Sequence, residues 1–373
     1  MKQSALRPID DIIVRRVSSF LEWASLEHDW KDLLSKSAAD CIFLSWEWMD
    51  TWVAVYGEAG SLCVLVAETS DGQVVGIAPM MLESLQKLSC IDIRHLIMLG
   101  QKADTSSEYL DWIIDDCYVE RVANAFCSHL LVEMKTQWDV MSIANLRTDS
   151  RALPIIKNKF GSLFEIVRRV SSPYVILEVE SWDEYLNLRR AKFRQRWKRF
   201  HREHNVILRH VGRDISLSEG LEKLKALNAA RWASDRQSFL TERYSNFHEH
   251  VARRLLARNS LLLVLMEVDG TTVAGRYDFL YGGKAWSFQG GWLPEWSNLS
   301  IGKLMIAEIL RWCIENGIGE YDFLGGSSTY KDDWSSNCRE MICVEVANPH
   351  SCRGRILRMF RRFVRLLRRT LLR

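Results

Sequence analysis

The sequence predicts an α/β (α+β) fold in which one module is used twice, with mixed sheets flanked by helices. Three observations carry that expectation. Of the 373 residues, 47% are hydrophobic and 26% charged, a balance that suits packed cores and argues against disorder, collagen-like repeats or a disulfide-stapled miniature fold. The length is about twice that of an ordinary domain. The order of elements, two helices, a meander of strands, then a helix and a strand, runs once before Val170–Pro173 and once after it, the mark of a duplicated unit. The expected boundaries are 1–170 for the first module, 171–350 for the second and 351–373 for a separate basic amphipathic helix.

In the first module Ile12–Ser18 is a strand. Trp23, Leu26, Trp30 and Leu34 recur at helical spacing within Phe20–Ser35, and Trp46–Tyr56 is a second, Trp-rich helix. Ser61–Glu68 and Gln73–Leu82 flank Thr69-Ser70-Asp71-Gly72, whose composition suits a hairpin turn. Ile93–Leu99 and Tyr109–Ile114 read as further strands, Val119–Met134 as a helix, Asp139–Ala144 as a strand and Leu153–Phe160 as a short helix.

In the second module Tyr174–Val179 is a strand, and Ser181 with Glu184 three residues on has the form of a capping box. Ser218–Ser234 and Phe247–Ala257 are helices. Leu261–Val268 and Thr272–Tyr281 join across Asp269-Gly270, and Lys284–Gln289 joins next across Gly282-Gly283, two strong hairpin signals. Helix Ile301–Asn316 and strand Glu320–Leu324 close the module.

Charge is unevenly placed. The chain carries +3 overall, but nine arginines and no Asp, Glu or Lys lie between Arg353 and Arg373, so the remainder carries −6. On a helical wheel Ile356, Met359, Phe360, Phe363, Val364, Leu366, Leu367 and Leu371 fill one half of this segment, and Arg355, Arg358, Arg361, Arg362, Arg365, Arg368 and Arg369 the other. Two destinations suit such a helix: the headgroup plane of an anionic membrane, or docking of its apolar half on the body or a second subunit. A second basic block, Arg189–His204, carries Phe193, Trp197 and Phe200 as a packing stripe. Its charged flank is a solvated face or a hold for the phosphates of a nucleotide or lipid-linked substrate.

The longest apolar runs, Leu62–Ala67 and Leu261–Met266, are six residues long, far short of the ~20 that cross a bilayer. Met1–Asp11 has no signal-type apolar stretch. The expected location is the cytoplasm, peripheral at the inner membrane face if the basic helix binds there. Nine cysteines contain no C-x-x-C pair, and the pairs His201/His204 and His248/His250 lack ligand spacing, so reduced cysteines and no metal are expected.

The loop Gln289–Ser300 leads into a helix start at Ile301, where free N–H groups and the helix dipole make an anion site; Gly290, Gly291 and Gly302 permit close approach of backbone to phosphate. Arg276 and Asp278, two apart on one strand, share a face as a polar floor or an ion pair. Trp292 and Trp296 either stack a sugar or adenine or serve as packing. Read from the residues alone, Asp322 is either an N-cap or turn aspartate or a group for the acceptor, and Tyr330 either a core aromatic with its hydroxyl at the edge or an acid.

Several motifs occur in order: Phe43-Leu44-Ser45-Trp46-Glu47-Trp48 with Thr51-Trp52, Gly76-Ile77-Ala78-Pro79 and Glu108-Tyr109-Leu110-Asp111 in the first half. In the second half stand Ala274-Gly275-Arg276-Tyr277-Asp278-Phe279, Trp286-Ser287-Phe288-Gln289-Gly290-Gly291-Trp292, Ser300-Ile301-Gly302 and Tyr321-Asp322-Phe323-Leu324-Gly325-Gly326 with Tyr330-Lys331 and Trp334. As a set, over about residues 12–336, they resemble the CelD-type acetyltransferase-like proteins associated with bacterial cellulose and exopolysaccharide synthesis.

That resemblance implies a tandem of GNAT-like (acyl-CoA N-acyltransferase) modules, related also to the Fem-type aminoacyl transferases. It implies transfer of an acetyl or other acyl group from acyl-CoA to an amine or hydroxyl of a sugar or related envelope-polysaccharide precursor, with no DNA partner. Carried over residue by residue, Phe288, Gln289, Gly290 and Gly291 form the thioester strand, and Ser300, Ile301, Gly302 and Lys303 the pyrophosphate turn. Tyr330 is the acid for the leaving thiolate, Asp322 orients or deprotonates the acceptor, and Lys331 holds phosphate or acceptor charge, with Arg276, Asp278 and Trp292 toward the substrate. Two departures stand out. Ile301 replaces a usual Pro, and Gly325-Gly326-Ser327 replaces an Arg-Gly-acid run, which removes charge beside the expected site. The alternatives are a Fem-like transferase that uses aminoacyl-tRNA and a non-catalytic accessory protein of exopolysaccharide synthesis. The oligomeric state is left open.

Overall fold

A computed structural model describes residues 11–371 except 59, 89–90, 102–104, 106, 232–240, 327–328 and 336; of 85–88, 91, 329 and 362–371 it describes the course of the backbone. Ser327 and 232–234 of the expected helix therefore lie outside the described residues. Unit 1 runs to Val170 and resumes at Met341, and unit 2 is Ser171–Glu340.

Unit 1 begins with β1 (Ile13–Val17), α1 (Phe20–Ser25), α2 (Glu27–Ser35) and α3 (Trp46–Tyr56). The stretch Phe20–Ser35 is thus two helices that meet at Leu26, and Ser19 with Glu22 forms a complete capping box at the start of α1. Then come β2 (Val64–Glu68), β3 (Val74–Ala78), β4 (Met80–Leu88), β5 (Ile91–Met98), β6 (Ile113–Ile114), α4 (Val119–Leu131), β7 (Val140–Arg147) and α5 (Leu153–Phe160). The expected strand Gln73–Leu82 divides at Pro79, which has no N–H to give to a ladder. Its two parts join different sheets: β1-β2-β3-β6 is antiparallel, while β4 pairs with β5, and β5 with β7 in parallel. The expected strand Tyr109–Ile114 is reduced to two residues, with Tyr109 in the left-handed region at φ 56°.

The chain passes from one unit to the next inside a strand, β8 (Phe164–Ile176), so Val170–Pro173 is not a linker loop. Unit 2 continues with α6 (Trp182–Asn187), α7 (Ala191–Glu203), β9 (Val206–His210), α8 (Leu217–Arg231), α9 (Glu242–Ala257), β10 (Leu261–Val268), β11 (Thr271–Tyr281), β12 (Lys284–Trp292), α10 (Ile301–Glu315), β13 (Glu320–Asp322) and α11 (Thr329–Asp332). Its strands lie in the order β8-β13-β12-β11-β10-β9, with β12 and β13 parallel and the other pairs antiparallel. The two tight hairpins form as their sequences demand: Asp269 and Gly270 sit at φ 50° and 84°, Gly282 and Gly283 at 60° and 71°. β14 (Asn337–Ala347), which no sequence signal marked, returns the chain to unit 1, where it pairs antiparallel with β7, and α12 (Cys352–Leu371) follows.

The core of unit 1 is rich in tryptophan. Trp30, Trp48, Trp52, Trp112 and Trp138 are fully buried. In unit 2, Ile301, Leu304, Met305, Ile309 and Leu310 of α10 form a buried spine against β11 and β12, with Trp197 and Phe200 of α7 in the same core. The packing stripe expected at Phe193, Trp197 and Phe200 is present, Phe193 being partly buried. The eight cysteines among the described residues are free thiols.

Candidate active site

The site starts from a parallel pair that does not stay together. β12 and β13 pair at Lys284↔Glu320, Ala285↔Tyr321 and Trp286↔Asp322, and there β13 ends while β12 runs on to Trp292. Just past the split a bulge opens in the β11–β12 ladder: Tyr277 pairs with Gln289 and Asp278 with Ser287, so Phe288 is the unpaired extra residue. Its N–H turns to the Asp278 carboxylate at 3.2 Å.

A cavity of about 220 Å³ occupies the opening. Gly290, Gly291 and Trp292 of β12 line it, as do Ser300, Ile301, Gly302 and Lys303 at the start of α10, Arg276, Tyr330, and Arg231 at the end of α8. Ser300 stands at φ 58°, a left-handed residue that turns the chain into α10. Among the described residues the first-turn amides of Ile301 and Gly302 have no backbone partner, since intrahelical bonding begins with Lys303 N–H to Ser300 O. Arg196 of α7 donates to Ser300 Oγ at 2.6 Å and holds the turn from the side.

Among the described residues three cations and no carboxylate line this cavity. Arg276 is 7% exposed. Its Nη2 donates to Asp278 at 2.6 Å and to Ser287 at 2.5 Å, and its buried Nε has no hydrogen-bond partner among the described residues. Burial works against the Arg276 charge, but the Asp278 carboxylate and the nearby Tyr321 and Tyr330 hydroxyls outweigh it, so the guanidinium is held above its ordinary value. Arg231 lies 3.4 Å over the Trp292 ring and donates to Gly290 O at 3.3 Å. Burial pushes it down to about 10, with Tyr330 opposing and Arg276 adding to the shift.

A second, larger cavity of about 420 Å³ adjoins through Lys303. Its walls are Arg189, Arg190, Lys192, Phe193 and Arg196 of the α6–α7 region, with Asp333 and Trp334. Asp333 is taken by Lys303. Among the described residues Arg189, Arg190, Lys192 and Arg196 have no carboxylate partner, so the cavity presents uncompensated positive charge beside the Phe193–Trp334 aromatic pair.

The residues expected from the sequence therefore separate into two groups. Gly290, Gly291, Trp292, Ser300, Ile301, Gly302, Lys303, Arg276 and Tyr330 share the first cavity. Phe288, Gln289, Asp278, Asp322 and Lys331 lie outside its lining. Phe288 packs against His248, Phe279 and Tyr277, and Gln289 donates to the Tyr244 hydroxyl. Asp278 is the partner of Arg276 and accepts from the Tyr321 hydroxyl at 2.7 Å, an ion pair rather than an open floor. Asp322 is fully buried; it accepts from Ser172 at 3.1 Å, Leu324 N–H at 2.7 Å and Arg339 at 3.1 Å, which makes it a brace rather than a free base. Lys331 Nζ caps the carbonyls of Leu324 and Gly325, both at 2.9 Å.

Gly291 also has a different task from the expected one. A Cβ there would stand 2.4 Å from the Asn228 backbone N, so this glycine admits α8 rather than a phosphate. Asn228, which then donates to Gly290 O at 3.3 Å, and Arg231 are contributions the sequence reading missed. The double glycine was their one local signal.

Residues 187–332, within unit 2, match the model of the acetyltransferase (GNAT) domain. The whole chain has the mixed α/β fold of tandem GNAT and FemX-type structures. It is similar to a structure titled FemX, with a TM-score of 0.61 at 13% identity over 90% of this chain and 98% of that one. The structure of L-PGS from Bacillus licheniformis aligns with a TM-score of 0.52 at 12% identity, over 89% and 94%. A tandem GNAT protein from the clavulanic acid biosynthesis pathway aligns with a TM-score of 0.50 at 8% identity, over 91% and 100%. No curated protein matches the chain.

Proposed function

We propose that unit 2 transfers an acetyl or other acyl group from acyl-CoA to an amine or hydroxyl of a sugar-type precursor of envelope polysaccharide. One observation carries the donor half of this reading: the strand opening, the first-turn amides of α10 and Tyr330 meet in one cavity whose described lining holds three cations and no carboxylate. The donor, when bound, supplies an activated thioester carbon and a pyrophosphate. In this reading the amides of Ile301 and Gly302 hold the pyrophosphate, with Lys303, paired with Asp333, beside them. In this reading Arg231 lends positive potential to the charge that develops first on the carbonyl oxygen and then on the departing sulfur, with the Arg276–Asp278 ion pair behind it. As the C–S bond breaks, the thiolate takes a proton from Tyr330. The acceptor class rests on the sequence resemblance. No Asp, Glu or His is among the described residues that line the first cavity; in this reading the acceptor amine enters in its neutral form and loses its second proton to water.

A second reading, an aminoacyl-tRNA donor, is favoured by the uncompensated cations of the larger cavity, which suit a nucleic-acid backbone. A thermal-shift series separates the two. Under the first reading acetyl-CoA, longer acyl-CoAs or free CoA raise the melting temperature, by about 2.7 kcal/mol of stabilisation at a hundred times Kd. No stabilisation by any of them, with binding of charged tRNA, would replace the first reading by the second.

A further inference from the structure

The helix α12 docks on unit 1 by its charged side. Leu357, 4% exposed, packs with Ile93 and Val140, and a Cβ on Gly354 would stand 2.1 Å from the Asp139 carbonyl oxygen. Arg358 donates to Ser162 O and Arg361 pairs with Glu345. Positions 354, 357, 358 and 361 follow helical spacing and define the docked side. The opposite side is open: Ile356 is 51% exposed, Met359 71% and Phe360 48%.

Docking of the apolar half on the body, one of the two destinations legible in the sequence, is therefore not what α12 does. An apolar ridge that faces away from the protein, with Arg353 and Arg355 at its margins, needs a cover. We propose that the cover is an anionic lipid bilayer, with α12 in the headgroup plane, Ile356, Met359 and Phe360 in the acyl boundary and the exposed Arg353 and Arg355 among lipid phosphates. Charge selects this occupant. The segment from Arg353 to Arg373 holds nine arginines and no acidic residue, so apposing the same face of a second copy would bring two strongly positive helices together, whereas lipid phosphates neutralise them. Among the described residues no helix is long and apolar enough to cross a membrane, which leaves surface contact as the mode. The inference is independent of the acyltransferase reading.

The test is co-sedimentation of the full chain with vesicles of phosphatidylcholine alone and with about one third phosphatidylglycerol. The expected result is binding at least roughly tenfold stronger to the anionic vesicles, weakening with added salt. The triple variant Ile356→Glu, Met359→Glu, Phe360→Glu changes exposed side chains only and is expected to keep the wild-type melting temperature while losing the binding. Met359→Glu alone, at the most exposed of the three positions, should weaken binding roughly threefold or more and serves if the triple variant folds poorly. Absence of binding to anionic vesicles, or equal binding by wild type and Met359→Glu, overturns the proposal. So does a lipid-free dimer of the wild type that either variant converts to monomer, since a second copy would then be the cover.

Discussion

Unit 1 and unit 2 run similar orders of elements, yet they fill their interiors differently. In unit 1 bulky aromatics occupy the space, and four of the five buried indoles have their ring N–H satisfied, Trp30 by Leu44 O, Trp48 by Ser107, Trp52 by Thr105 and Trp138 by Leu130 O, while the Trp112 ring N–H has no partner among the described residues. The cavities described there are about 20 and 10 Å³. In unit 2 a glycine pair, a split strand pair and buried cations leave about 220 and 420 Å³ open. Repetition of an element order thus does not repeat the side-chain volume and charge that line the interior.

Four substitutions sharpen or break that contrast. The largest effect belongs to Trp48→Ala in unit 1, where a fully buried ring and its bond to Ser107 are lost. Chemical denaturation should show a loss of about 3–5 kcal/mol, while the protein that remains folded binds acetyl-CoA as before. A loss of ligand affinity without loss of stability would put chemistry in unit 1. Next is Tyr330→Phe in unit 2. It should leave stability and CoA binding nearly unchanged and lower kcat on the order of 10²-fold, read in a transfer assay; full turnover would pass the acid role to another group.

Gly302→Ala should act more mildly. The added Cβ meets the Trp292 ring at 3.1 Å, which offsets the gain in helix propensity, so stability should stay within about 1 kcal/mol. Affinity for CoA, measured by calorimetry, should fall roughly tenfold as the pyrophosphate turn fills. Unchanged affinity would move the phosphate site elsewhere.

The smallest effect is a pH dependence in unit 1. Burial pushes Asp111 up to about 7, despite its hydrogen bond from the Trp112 N–H. A carboxyl whose folded pKa is raised binds its proton more tightly when folded, so this group's contribution to stability falls as pH rises from about 4 to about 7. Asp111→Asn should flatten that fall in denaturation curves across the window. An unchanged slope would show that Asp111 is not the group responsible.

What the sequence made legible was whatever local chemistry decides. Asp269-Gly270 and Gly282-Gly283 determine hairpins by their own φ preferences, and the turn at Ser300–Lys303 follows from a polar loop that meets an apolar helix. The uses of Asp322 and Lys331 were hidden because their partners come from elsewhere in the chain: Arg339 from β14, which carried no strand signal, and the Leu324 and Gly325 carbonyls, which only the folded turn aligns. Gly291 was legible as a close approach but not as to what approaches. Arg231 sits at the end of an ordinary helix, and only the crossing of α8 over β12 carries it to the cavity.

The asymmetry between the units is tested most directly by the stoichiometry of acetyl-CoA binding to the full chain in isothermal titration calorimetry, with Gly302→Val as the comparison. The account predicts one equivalent per chain, lost in the variant while the melting temperature is largely kept. Two equivalents, or one equivalent that survives Gly302→Val, would contradict it.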